Sequence, residues 1–142
     1  MGGARASTRP VQLGERRYLS VLFCDVVSSS AISQQLDPED LNDLLQAYQT
    51  RCGEVLRELG GYVAQYLGDG VMAYFGFPRA REDDARRAVL AGLQLVRAVS
   101  TLSHQLRMAR ELRVRVSVHT GSVVVSEMGT PERRELLAVG DT

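Results

Sequence analysis

Gly60-Gly-Tyr-Val-Ala-Gln-Tyr-Leu-Gly-Asp-Gly-Val-Met-Ala-Tyr-Phe-Gly76 holds two short apolar runs, residues 62–67 and 71–75, on either side of a Gly-Asp-Gly tip. Glycines flanking one aspartate let the backbone turn tightly, so the stretch reads as a β-hairpin with Asp69 at its end. Upstream, residues 18–27 form a nearly continuous apolar run with a second aspartate, Asp25, near its carboxyl end. A run of that kind is a strand buried on both faces, in the middle of a sheet.

Between the two aspartates lies the best-patterned helix. Asp37-Pro-Glu-Asp40 is a helix start, with aspartate as N-cap and proline at the first helical position. Leu41, Leu44, Leu45, Tyr48, Cys52, Val55, Leu56 and Leu59 then recur at spacings of three and four, up to a Gly60-Gly61 stop. After the hairpin, Phe77-Pro78 is a break, and Glu82-Asp83-Asp84 opens a second long helix that frays near Met108. Its expected apolar face is Ala85, Ala88, Val89, Gly92, Leu93, Val96 and Val99. Residues 113–118 alternate with their valines on one side, a strand with one buried face. A turn about Gly121 and a partner strand over residues 122–126 are expected next, then an exposed loop and a new apolar run at residues 136–139. Two βαβ-like units with helices on one sheet face suggest an α+β sandwich of ferredoxin-like type, with a mixed or antiparallel central sheet. A strand-like run that starts and stops within a few residues of the terminus suggests a fragment whose final strands and helix are missing. Residues 1–16 are polar and aperiodic, the pattern of a flexible arm, which leaves residues 17–142 as one domain.

Composition excludes several function classes. The 142-residue chain has a formal net charge of zero, which argues against a nucleic-acid-binding surface. All of its basic side chains are arginine, so it has neither a Gly-Lys-Ser/Thr phosphate loop nor a Schiff-base lysine. No apolar run is of membrane-spanning length and no signal-peptide pattern occurs, so the expected location is cytoplasmic, away from membranes. Cys24 and Cys52 have no pairing pattern and read as two buried thiols. His104 reads as a surface residue and His119 as a structural turn residue. Neither has the partners of a triad or a zinc site. Tyr62, Tyr66, Tyr74, Phe75 and Phe77 read as core, and the Arg16-Arg17 and Arg133-Arg134 pairs as solvated.

The chemistry rests on the two aspartates. Hard carboxylate oxygens suit Mg2+ or Mn2+, and magnesium takes one or two protein carboxylates alongside substrate phosphates. A pair of such ions neutralises a triphosphate and activates a hydroxyl. The amides of Val26, Val27, Ser28, Ser29 and Ser30 form a turn leading into a helix, a donor set suited to phosphate oxygens. On spacing alone, Asp25 as a plain strand end and Asp69 as a plain turn residue fit equally well.

Three segments carry a resemblance. Val21-Leu-Phe-Cys-Asp-Val-Val, Gly68-Asp-Gly-Val-Met-Ala-Tyr-Phe-Gly and Val118-His-Thr-Gly-Ser-Val-Val-Val resemble, in order and spacing, successive motifs of the class III adenylate/guanylate cyclase catalytic domain. Ala138-Val-Gly-Asp-Thr142 resembles the start of that family's last motif, so the likeness spans residues 17–142. It implies a homodimer with active sites at the subunit interface. The implied reaction converts ATP, favoured over GTP, to the 3′,5′-cyclic monophosphate and pyrophosphate with two metal ions, in cyclic-nucleotide signalling. Asp25 and Asp69 match the metal aspartates, and Val26 would add a backbone carbonyl. Further domains beyond the C-terminus are implied for the whole protein.

The chain departs from the family pattern at three points. Gln65 stands where the family often has a purine-selecting lysine, and Leu137 where it often has aspartate. Gln65 can donate or accept, and Leu137 offers no hydrogen bond, so weak base discrimination is expected. Ser28 replaces the usual glycine of the phosphate turn. The family's transition-state asparagine and arginine would fall beyond Thr142, so the fragment alone is expected to be weakly active or inactive. These departures support a second reading, a catalytically impaired, dimerising regulatory module. A polymerase-like two-metal phosphotransferase is a more distant third.

Overall fold

The computed structural model describes residues 15–108 and 110–125. β1 (Glu15–Val26) is followed by α1 (Ser29–Gln35) and α2 (Pro38–Glu58). Then come β2 (Tyr62–Tyr66), β3 (Gly70–Phe75), α3 (Asp84–Gln105) and β4 (Val114–Val125). The strands form one sheet in the order β2-β3-β1-β4, every neighbour antiparallel. This is the ferredoxin-like α+β arrangement expected, and β1 is an interior strand flanked by β3 and β4.

Alternation along the strands sorts the core into two layers. Leu22, Cys24 and Val26 of β1 and Val71, Ala73 and Phe75 of β3 pack with the buried faces of α2 and α3. The intervening residues Leu19, Val21, Met72 and Tyr74 form a second cluster on the opposite face, with Ala64, Phe77 and Val123. There Tyr62 stacks parallel to Tyr74 at 6.1 Å, and Phe77 meets Tyr62 edge-on at 4.9 Å. These rings are core, as expected, whereas Tyr66 is exposed and accepts a bond from Arg57 Nη2 at 3.3 Å.

α2 follows its sequence closely. Pro38 occupies its first turn, and Leu44, Tyr48, Cys52, Val55 and Leu56 are buried along one face. Its end is a Schellman-type stop: Gly60 N–H bonds to Arg57 O at 3.0 Å and Gly61 N–H to Leu56 O at 2.8 Å, with Gly60 at φ 81°. Asp37 is the N-cap by position, but its side chain makes no capping bond.

Four expectations are corrected. The turn about Gly121 does not occur; β4 runs unbroken through Gly121, which lies opposite Leu19 of β1. Glycine is there for close approach, since a Cβ would lie 3.2 Å from His119 Nε2. His119 is accordingly a strand residue. The buried face of α3 is Ala88, Ala91, Gly92, Leu95, Ala98 and Val99, while Val89, Leu93 and Val96 are exposed. Apolar residues occur all round this helix, so the period is ambiguous, and the smallest ones face the sheet. A Cβ at Gly92 would stand 3.0 Å from Val116 Cγ1, so only a small-residue face can approach β4. A two-turn helix, α1, occupies residues read as a turn and a lead-in. Finally, β1 begins at Glu15, inside the expected arm. The rest of that arm up to residue 14, and the apolar run at residues 136–139, lie outside the described residues. No helix among the described residues is long and apolar enough to cross a membrane.

Candidate active site

The two aspartates come together at one end of the sheet. Asp25 lies opposite Gly70 in the β1–β3 ladder, and the next amide, Val26 N–H, donates to Asp69 O at 3.1 Å. Register thus ties the hairpin tip to the end of the central strand. A Cβ on Gly70 would lie 3.8 Å from Asp25 Cβ and 3.4 Å from Cys24 O, ordinary van der Waals distances, so the tip packs directly against the end of β1. Leu67 and Gly70 exchange both backbone bonds, at 2.7 and 3.3 Å, leaving Gly68 and Asp69 as the two turn residues. Gly68 has φ 72°, the first central position at which a type II′ hairpin requires glycine. Gln49 of α2, which sequence reasoning passed over, donates Nε2 to Gly68 O at 2.9 Å and fixes the tip to the helix layer.

The turn after β1 is partly committed already. Val27 N–H donates to Arg113 O at 2.9 Å, so the amides of Val26 and Val27 are both used within the fold. Among the described residues, the amides of Ser28, Ser29 and Ser30 make no backbone bond, and these three are the donors left for an anion. Ser28 adopts φ 62°, ψ 39°, the left-handed conformation that a glycine would take without strain. Its carbonyl accepts from Ala31 and Ile32 at 3.1 and 3.3 Å, which starts α1.

Gln65 lies past a bulge in β2 and opposite Met72, which in turn lies opposite Phe23 of β1. That row shares the sheet face of Asp25, away from α2 and α3. Gln65 Oε1 is buried there with no hydrogen-bond partner. A buried acceptor without a donor costs about 1–3 kcal/mol, so the position is one that a ligand donor would stabilise. His119 Nε2, farther along the same face, is also buried and unpartnered.

Arg115, which sequence reasoning passed over, lies beside the end of β1. It lies opposite Asp25 in the β1–β4 ladder, is exposed, and forms no ion pair among the described residues. Its alternation with valine was visible in the sequence. Its partner was not, because register sets it. The arrangement therefore sets two carboxylates, three free amides and one guanidinium around one strand end. Leu137 lies outside the described residues.

Among the described residues no group of three or more acidic, histidine or cysteine side chains gathers. Two aspartates with backbone oxygen nearby suit magnesium or manganese, which leave positions for water and substrate phosphate. They do not suit a closed all-protein cage.

Comparison with known proteins agrees with this geometry. The family model for the adenylate and guanylate cyclase catalytic domain matches residues 11–137. Adenylate cyclase 1 of Rhizobium meliloti (strain 1021) is 30% identical over 129 residues, covering 89% of this chain and 19% of its own length. The guanylyl cyclase Cya2 superposes with a TM-score of 0.77 at 30% identity, covering 85% of this chain and 62% of that one. The adenylyl cyclase CyaB from P. aeruginosa gives a TM-score of 0.77 at 29% identity, covering 84% of this chain and 63% of that one. The chain belongs to the adenylate and guanylate cyclase catalytic domain family. It spans about a fifth of that curated relative and under two thirds of each of those solved chains.

Proposed function

We propose that the protein is a nucleotide cyclase that converts ATP, in preference to GTP, to the 3′,5′-cyclic monophosphate and pyrophosphate. The observation that carries this is the backbone tie between Val26 and Asp69, which sets the Asp69 turn beside Asp25 in a chain of this family. Two divalent cations, Mg2+ or Mn2+, held by Asp25, Asp69 and the Val26 carbonyl, would neutralise the triphosphate and favour ionisation of the ribose 3′-hydroxyl. The remaining work falls to the chain itself. Ser28, Ser29 and Ser30 offer amides to phosphate oxygens, and Arg115 supplies a charge for the pyrophosphate as it leaves. The 3′-oxygen forms a bond to the α-phosphorus, the bond to the β-phosphate bridging oxygen breaks, and the hydroxyl proton passes to water.

Gln65 supports ATP because its amide carries both an acceptor, unpaired at Oε1, for the adenine amino group and a donor for adenine N1, whereas the adjacent N1–H and amino donors of guanine call for acceptors alone. The reading includes a homodimer whose open sheet faces meet, a cytoplasmic location, a signalling role, and further domains in the whole protein. The strained Ser28 keeps the regulatory-module alternative in play. Product analysis separates the readings. With ATP and Mn2+, the full-length protein should yield cyclic AMP and pyrophosphate in equal amounts. A linear product would favour a phosphotransferase. No product from a dimer that binds nucleotide would favour the regulatory module.

A further inference from the structure

Gly68 sits at φ 72° while Asp69 stays at negative φ, which makes the hairpin tip a type II′ turn. A type I′ turn closes the same two-residue hairpin and differs by a flip of the central peptide, which would put Asp69 at positive φ. Aspartate tolerates that region, so the strands alone do not choose between the two turns. Packing does not choose either: Leu67 and Gly68 are exposed, and a Cβ on Gly68 would meet no atom within 4 Å. What distinguishes the II′ form is the bond that Gln49 Nε2 donates to Gly68 O at 2.9 Å. A flip would swing that carbonyl away from α2 and break the bond. The donor is presented from a fixed place, because Tyr48 and Cys52 on the same helix are fully buried. On the other side of the residue, Asp69 O accepts from Val26 N–H at 3.1 Å. The two carbonyls that bracket the Asp69 backbone are thus held from two different elements, α2 and β1.

We propose that Gln49 is a positioning residue for Asp69: by holding the Gly68 carbonyl it selects the turn in which the Asp69 carboxylate is set to take a divalent cation. The assignment rests on the cyclase reading and deepens it by naming what α2 contributes to the metal site. Gln49 acts through the turn and not on the reacting atoms. A tip free to flip binds the ion only in its competent form, so the apparent affinity falls by the fraction of chains in that form. The role calls for a donor of this length. Methionine matches the length of glutamine but has no donor, and asparagine keeps the amide one methylene short.

The test is titration of the full-length protein with Mn2+ in the absence of nucleotide, the free ion being read by electron paramagnetic resonance. Hydrogen–deuterium exchange of residues 67–70, with no metal added, is measured beside it. Gln49→Met should weaken Mn2+ binding by about tenfold, the scale of losing a partner that orients a metal ligand. That loss corresponds to a turn competent about one time in ten. The same variant should speed exchange at Gly70 N–H, which closes the turn on Leu67 O at 3.3 Å. Its urea midpoint should stay near wild type, because the lost bond is exposed. Gln49→Asn should follow Gln49→Met, whereas Thr50→Ala, at the exposed neighbouring position, should change neither reading. An unchanged Mn2+ affinity in Gln49→Met, with or without faster exchange, would overturn the proposal. So would an equal loss in Thr50→Ala, or a wild type that takes up no Mn2+. Neither reading uses turnover. If Gln49→Met weakens Mn2+ binding but wild type forms no cyclic nucleotide, the cyclase reading sinks and the role of Gln49 stands.

Discussion

Ser28 holds a conformation, φ 62° and ψ 39°, that costs an L-residue about 1–2 kcal/mol. Replacement by glycine removes that strain and adds back about 0.4–1 kcal/mol of unfolded-chain entropy. Ser28→Gly should therefore stabilise the fold by up to about 1.6 kcal/mol, read as a higher urea midpoint, while Ser28→Val, branched at Cβ, should destabilise it. A destabilised glycine variant would show that the hydroxyl contributes more than the backbone loses. Gln65 lends itself to a sharper test of specificity. A carboxylate only accepts, and guanine presents two adjacent donors where adenine alternates donor and acceptor. Gln65→Glu should move the kcat/KM ratio toward GTP by on the order of tenfold. An unchanged ratio would take Gln65 out of the base site.

Among the elements, α2 couples the core to the site. Its Tyr48 hydroxyl lies 3.6 Å from Cys24 Sγ, and burial pushes the phenol well above its ordinary value. Cys52 joins the same cluster, its thiol raised first by its hydrogen bond with Cys24 and then by burial. The two cysteines are free and buried, as their sequence context suggested, but they meet through the fold. A folded-state pKa above the unfolded one means that the unfolded chain loses its proton first as the pH rises. For Tyr48 the stability contributed is complete below the ordinary tyrosine value of about 10 and declines above it. Alkaline titration should show unfolding setting in above that pH, and Tyr48→Phe should flatten the decline.

Arg87 joins the start of α3 to the end of α2. It donates to Asp84 Oδ1 at 2.5 Å, to Asp83 at 3.1 Å and to Leu59 O at 2.6 Å, with its guanidinium 5.6 Å from the centre of the Phe75 ring. Asp84 is 8% exposed, so Arg87→Ala leaves a buried carboxylate without its cation and should cost about 3–5 kcal/mol in chemical denaturation. Removing both side chains should cost less than the sum of the single losses. The elements were legible in proportion to how uniquely their patterns repeat. The stripe of α2 has one apolar face and was read correctly. α3 has two, and Gly121 mimics a turn, so packing against Val116 and His119 decided what the pattern left ambiguous.

At the scale of the whole molecule, the antiparallel order β2-β3-β1-β4 brings the end of β1, the hairpin tip and the start of β4 to one place. Asp25 and Asp69 were legible as residues because strand ends and Gly-Asp-Gly tips leave a local signature. Their union through Val26 N–H, the loss of the Val27 amide to Arg113, and the position of Arg115 depend on long-range register, which no single sequence prints. The proposed homodimer has its own test at this scale. Phe23 lies two residues before Asp25 on the face opposite the helices and is 41% exposed. Phe23→Asp should shift sedimentation from dimer to monomer and abolish cyclisation together. A monomeric variant with full activity would remove the shared-site model.

The most direct measurement is the rate of cyclic AMP formation by the full-length protein with ATP and Mn2+, beside Asp25→Asn and Asp69→Asn. Wild type should turn over, and each variant should fall by about 10²–10³ or more, the scale of losing a preorganised charge at the reacting phosphate. If either variant stays within about tenfold of wild type, a barrier change near 1.4 kcal/mol, the two-aspartate site is wrong.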